Sequence, residues 1–108
     1  MAKYLLIESR DPFSDRAVVR NYELAANLRK NGDEVTMFLV QNGVLSARKG
    51  CAATGLADVV ASGVQVLSDD FSMRERGLAE DSLLDGVMSA PLDIVVDQLA
   101  EGRTALWF

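Results

Sequence analysis

Three polar stretches carry the residue types that could do chemistry: Ser9-Arg10-Asp11, Gln41-Asn42-Gly43 and Ser68-Asp69-Asp70-Phe71-Ser72, the last followed by Arg74 and Arg76. Adjacent carboxylates such as Asp69 and Asp70 offer the hard oxygen ligands that a divalent cation or a phosphoryl site requires. The same two residues suit the N-cap of a helix over residues 71–76, where a short carboxylate accepts backbone N–H bonds. Arg10, Arg74 and Arg76 could hold an anion or a partner's carboxylate, or pair on the surface with Glu75 and Glu80. The one thiol, Cys51, lies in a Gly- and Ala-rich stretch just after Arg48 and Lys49. Reactive thiols are found beside cations in this way, but free cysteine is also among the residues most often buried.

Much chemistry is excluded by what the chain lacks. With one Cys and no His, it can form no internal disulfide, and the common Zn, Cu and non-haem Fe ligand sets cannot be assembled, so no metal site is expected. Ser-His-Asp and Cys-His catalysis are excluded within one chain for the same reason. Neither G-x-G-x-x-G nor G-x-x-x-x-G-K-[ST] is present, which leaves nucleotide binding without a motif and the chain without an expected cofactor. A receiver-type phosphorylation site would want acids straight after the first strand and a late lysine. Asp11 is set back by Ser9 and Arg10, and no lysine follows Lys49.

The elements that must position these residues alternate. Lys3–Glu8 is an apolar run without helical spacing, closed by turn residues, and reads as a central strand. Ser14 and Asp15 offer an N-cap for a helix carrying Ala17, Leu24, Ala25 and Leu28, which Asn31-Gly32 ends. Val35–Val40 is apolar on both faces, as a covered parallel strand should be. A weak helical segment over Val44–Lys49 and a small-residue stretch over Gly50–Gly55 precede a helix with Leu56, Val59 and Val60, capped by Gly63. Strand three is Val64–Leu67, followed by the short helix that Gly77 stops. Leu83–Met88 reads as a helix end and a short strand near Val87. Pro91 starts a helix whose apolar stripe is Leu92, Val95, Val96 and Leu99, Gly102 caps it, and Thr104–Phe108 forms the last strand. Helix, Gly cap and strand recur at Gly32, Gly63 and Gly102. This rhythm predicts right-handed βαβ units in one α/β domain over residues 1–108, a three-layer α/β/α fold with a five-stranded, mainly parallel sheet of flavodoxin-like appearance. In such a sheet ligands collect beyond the carboxyl ends of the strands, where the three polar stretches lie.

Composition sets the class. The 108 residues are 49% hydrophobic and 25% charged, and 11 Lys plus Arg against 16 Asp plus Glu leave a net charge of −5. That balance argues against nucleic acid as a partner. No apolar run approaches the roughly 20 residues of a membrane span, and Met1-Ala2-Lys3-Tyr4 enters a strand without a signal-peptide layout, so a cytoplasmic protein that does not contact membranes is expected.

The order of the pieces resembles a known family. A first strand with a polar loop, then Phe38-Leu39-Val40-Gln41-Asn42-Gly43-Val44, then Gly63-Val64-Gln65-Val66-Leu67, then Arg76-Gly77-Leu78, is similar to the DsrE/DsrF-like family over essentially the whole chain. The resemblance implies a DsrE-like fold, a place in sulfur metabolism or sulfur relay, and a homo-oligomer (dimer, trimer or hexamer) with a sulfur-relay protein as partner. In sulfur-transferring members a cysteine just after the third strand, about eight residues before the Arg-Gly glycine, carries a persulfide. Counting back from Gly77, that position is Asp69. A carboxylate cannot carry sulfane sulfur, because the reactive species is a thiolate. Three readings follow: a non-catalytic DsrE-like protein binding a small anion or a protein partner, a sulfurtransferase using Cys51 as persulfide carrier, or a flavodoxin-like small-ligand or nucleotide-binding module. Trp107 and Phe108 either pack on the domain's own helices or form a subunit contact, since aromatic residues are enriched in interface cores.

Overall fold

The hydrophobic alternation of the first strand sets the architecture. In β1 (Lys3–Glu8), Leu6 points into one apolar core and Leu5 and Ile7 into another, because successive strand residues face opposite sides. The computed structural model describes the backbone of residues 1–108 and the side chains of all of them except Ala52 and Ala53. After β1 come α1 (Ala17–Lys30), β2 (Glu34–Leu39), two 3-10 segments (Gln41–Ala47 and Lys49–Thr54), α2 (Leu56–Ala61), β3 (Gln65–Asp69), α3 (Asp70–Glu75), a 3-10 turn (Glu80–Ser82), β4 (Val87–Ala90), α4 (Asp93–Ala100) and β5 (Thr104–Trp107).

The strands form one five-stranded sheet in the order β4-β3-β2-β1-β5, and every neighbouring pair is parallel. From β1 to β4 each step moves one place in the same direction, so right-handed crossovers lay α1, α2 and α3 on one face. The last connection runs back from edge strand β4 to the far edge beside β1, and the same handedness lays α4 on the other face. The first core joins Leu6, Met37, Leu39 and Val66 to Val18 and Tyr22 of α1, Leu56 and Val59 of α2 and Met73 of α3. The second is smaller: Leu5, Ile7, Phe38, Val40, Leu67 and Ala90, covered by Ile94 and Val95 of α4.

The structure adjusts several expectations. The sheet is parallel throughout rather than mainly so. Strand three begins at Gln65 and extends through Ser68 and Asp69, residues expected in the loop beyond it. The segment after β2 is 3-10 rather than α-helical, and Asp15 binds the Ala17 N–H at 2.9 Å although Arg16 occupies the cap position. The expected stripe of α4 is divided. Ile94, Val95 and Gln98 turn toward the sheet, while Leu92, Val96 and Leu99 are 59%, 65% and 48% exposed. Leu92, Val96 and Leu99 lie on the side of the helix turned away from the sheet, and among the described residues no other element packs over them. The terminal aromatic pair also divides: Phe108 packs against the first core and Trp107 is 67% exposed.

Arg103 holds β5 in place from the amino edge of the sheet. Its side chain is 6% exposed, and its Nη2 donates to Glu34 at 3.0 Å, its Nε to Glu101 at 3.2 Å, and its Nη1 to Tyr4 O and Thr36 Oγ1, both at 3.3 Å. The planar fork joins the loop before β5 to β1 and β2, which a lysine could not reproduce. Arg103→Ala is expected to cost about 2 kcal/mol, read as a lower urea midpoint at unchanged m-value. Trp107, the only tryptophan, reports the transition by fluorescence.

Candidate functional site

The carboxyl edge of the sheet is built around one hydroxyl. Asp69 ends β3 and caps α3: its Oδ2 accepts the Ser72 N–H at 3.0 Å and the Ser72 hydroxyl at 2.6 Å. Ser72 Oγ in turn accepts the Gln41 N–H at 2.8 Å. Gln41 sits at φ 51°, a left-handed conformation that a non-glycine residue adopts only when its surroundings hold it there. The next residue is tied as well, since Asn42 Oδ1 accepts from Arg76 Nε at 3.1 Å and Nη2 at 3.0 Å, while Arg76 Nη1 donates to Ser72 O at 3.1 Å. Asp69, Ser72, Gln41, Asn42 and Arg76 therefore form one hydrogen-bonded unit joining the end of β3, helix α3 and the loop after β2. Gly43 closes the loop against β1: a Cβ there would stand 2.3 Å from Glu8 O, too close for any other residue without a backbone shift.

The remaining candidates lie apart from this unit. Ser9 donates its hydroxyl to Phe108 O at 2.7 Å and so holds the end of the chain. Arg10 pairs with Asp15. Asp11 is buried and its Oδ1 accepts the N–H groups of Phe13 and Ser14 at 3.0 and 2.8 Å, making it the cap of the turn before α1. Asp70 faces Arg74 at 3.9 Å, and Arg74 also lies over the Phe71 ring at 6.0 Å. Asp70 and Arg74 line a recess of about 270 Å³ with Met73, Leu78, Glu80 and Ser89. A larger groove of about 390 Å³ separates α1 from the start of α2, and no candidate residue lines it. Cys51 is half-buried in the 3-10 segment Lys49–Thr54.

A second polar cluster escaped the sequence reading. Glu8, wholly buried at the end of β1, accepts from Asn21 Nδ2 at 2.7 Å and from the Arg10 N–H at 3.2 Å. Beside it the Tyr22 hydroxyl meets Ser46 Oγ at 2.7 Å. The signal was present in α1: Asn21 interrupts the buried stripe Val18, Tyr22, Ala25, and a polar residue in such a stripe calls for a buried partner. Among the described residues three buried side-chain oxygens have no hydrogen-bond partner: Ser68 Oγ, Asp69 Oδ1 and Gln98 Oε1. Asp69 is 6% exposed: its Oδ2 is committed to the cap, and its Oδ1 is buried without a donor.

Burial pushes the Tyr22 phenol up from 10.0 to about 12; the Ser46 hydrogen bond opposes this, and the negative charges of Glu8, Asp11 and Cys51 add to it. The native state holds this proton more tightly than the unfolded chain, so its contribution to stability is complete below pH 10 and is lost as pH rises toward 12. Wild type should lose roughly 2–3 kcal/mol more than Tyr22→Phe across that window, measured by urea unfolding of both proteins at several alkaline pH values.

With the geometry described, the chain can be set beside known proteins. The model of the DsrE/DsrF-like family matches residues 2–108. The fold is similar to that of MTH1491 from Methanobacterium thermoautotrophicum, described as a protein of unknown function (TM-score 0.86, 18% identity, 100% of each chain). It is similar to the ychN protein from E. coli (TM-score 0.87, 19% identity, 100% of each chain), and to BT1422 from Bacteroides thetaiotaomicron, a conserved protein of unknown function (TM-score 0.74, 18% identity, 97% of this chain and 94% of that one). No curated protein matches the chain. These likenesses at under 20% identity carry the fold, and the match along nearly the whole sequence carries the membership: the chain belongs to the DsrE/DsrF-like family.

Proposed function

We propose that this chain is a non-catalytic member of its family, a homo-oligomeric binding protein in sulfur metabolism that receives a protein partner at the carboxyl edge of its sheet. The observation that carries the reading is Asp69. The end of β3, where the family resemblance expects a persulfide-carrying cysteine, holds a carboxylate whose Oδ2 is spent on capping α3. Such a group has no thiolate chemistry, and its second oxygen, Oδ1, is buried beneath the edge without a hydrogen-bond partner, so a partner would meet the exposed side chains around it. A small anion is the weaker ligand. Arg10, Arg74 and Arg76 are spread over β1's loop and α3, and each already has an acceptor: Asp15, Asp70, and Asn42 with Ser72 respectively. An anion would have to displace these. Among the described residues no helix is long and apolar enough to cross a membrane.

One observation favours a second reading, a sulfurtransferase using Cys51. The thiol lies outside both cores, half-buried, and near enough to the Tyr22 hydroxyl to influence it electrostatically. Incubation with a low-molecular-weight persulfide donor followed by intact-mass measurement separates the two. The unmodified mass is expected for wild type. A gain of one sulfur atom that disappears in Cys51→Ala would replace the binding reading with the transferase.

A further inference from the structure

Two rows of exposed side chains run along the outer surface of α4. Leu92, Val96 and Leu99 recur at i, i+4 and i+7 and form an apolar seam about two turns long. Asp93 and Asp97 form the row beside it, and among the described residues neither has a cationic partner. Glu101, next in that row, meets the Arg103 side chain, which also binds Glu34 and Thr36 of β2. The acidic row therefore stands on the β2 side of the helix and the seam on the side of β5. There Trp107 continues it, because its register with Ile7 turns the exposed indole to the α4 side of the sheet. The bases on this side are already committed. Lys3, which alternation places on the face of Leu5 and Ile7, pairs with Glu34, and the Arg103 side chain is buried with Glu34 and Glu101.

We infer that this seam receives a basic amphipathic helix of another protein. The apolar residues of the incoming helix cover Leu92, Val96, Leu99 and Trp107, and a row of lysines or arginines on its flank faces Asp93 and Asp97, as charged flanking positions do in coiled coils. The unpaired acids select this occupant. Nucleic acid or an anionic membrane surface would be repelled by them. A second copy offers no match at the seam: its own α4 brings aspartates against aspartates, and the exposed face of its α1 mixes Arg16 and Arg20 with Glu23. The seam lies on the outside of α4 rather than at the carboxyl edge, so this docking goes beyond the function proposed above and does not depend on it.

Fluorescence of Trp107, the only tryptophan, reads the seam directly. The probe is a synthetic leucine–lysine peptide with its leucines at helical spacing, about four turns long so that it forms a helix on contact. A leucine–glutamate peptide of the same pattern is the control. The lysine peptide is expected to shift the Trp107 emission to the blue in a saturable titration of the full chain, and the glutamate peptide to leave it unchanged. Asp97→Lys should weaken the lysine peptide roughly tenfold. Glu23→Lys, the same change of net charge on the opposite side of the sheet, should bind it as wild type does. Both residues are exposed, so both variants should keep the wild-type circular dichroism. Absence of a shift, an equal shift with the glutamate peptide, or two variants that bind alike would overturn the inference. So would a free chain whose Trp107 emission is already that of a buried indole and moves to the red on dilution, since the seam would then belong to a second copy.

Discussion

The hydrogen bond from Ser72 to Asp69 is the constraint on which the carboxyl edge depends. Ser72 Oγ donates to a buried carboxylate and accepts from the Gln41 backbone, so one hydroxyl joins the end of β3, the first turn of α3 and the loop after β2. A hydrogen bond to a charged acceptor is about twice as strong as one between neutral groups, and the Gln41 N–H would have no other partner. Arg76 completes the unit from the end of α3 by binding Asn42 and the Ser72 carbonyl. The edge is thus held by polar bonds among side chains and loop backbone, and Asp69 is part of the structure that holds it.

The topology explains why the rest of the surface is uneven. A sheet in the order β4-β3-β2-β1-β5 places three crossovers on one face and a single one on the other. The crowded face buries a large core and a polar cluster around Glu8 and Tyr22. The sparse face is covered only by the eight residues of α4, so Met88 and Trp107 on the two edge strands remain at the surface.

Much of the fold was legible from local signals. Gly32, Gly63 and Gly102 adopt φ of 92°, 100° and 88° just after α1, α2 and α4, and each precedes a strand, so the helix–glycine–strand rhythm was a direct reading of backbone requirements. The capping role of Asp69 was legible for the same reason. The bond from Gln41 to Ser72 was not, because it spans 31 residues and depends on a left-handed glutamine that no local preference favours. Nor was the full orientation of α4: of the four-residue apolar stripe the sheet takes only Val95, together with Ile94 and Gln98. Local spacing identifies an amphipathic helix, while the area available on the sheet decides how much of the apolar side is covered.

Amide hydrogen exchange at Gln41 tests the central role of Ser72 most directly. If the hydroxyl of Ser72 holds this loop, the Gln41 amide is protected in the wild-type protein and exchanges at the rate of an open loop in Ser72→Ala, while amides of β1 and β2 keep their protection. An unprotected Gln41 amide in wild type, or protection that survives in Ser72→Ala, would contradict the account.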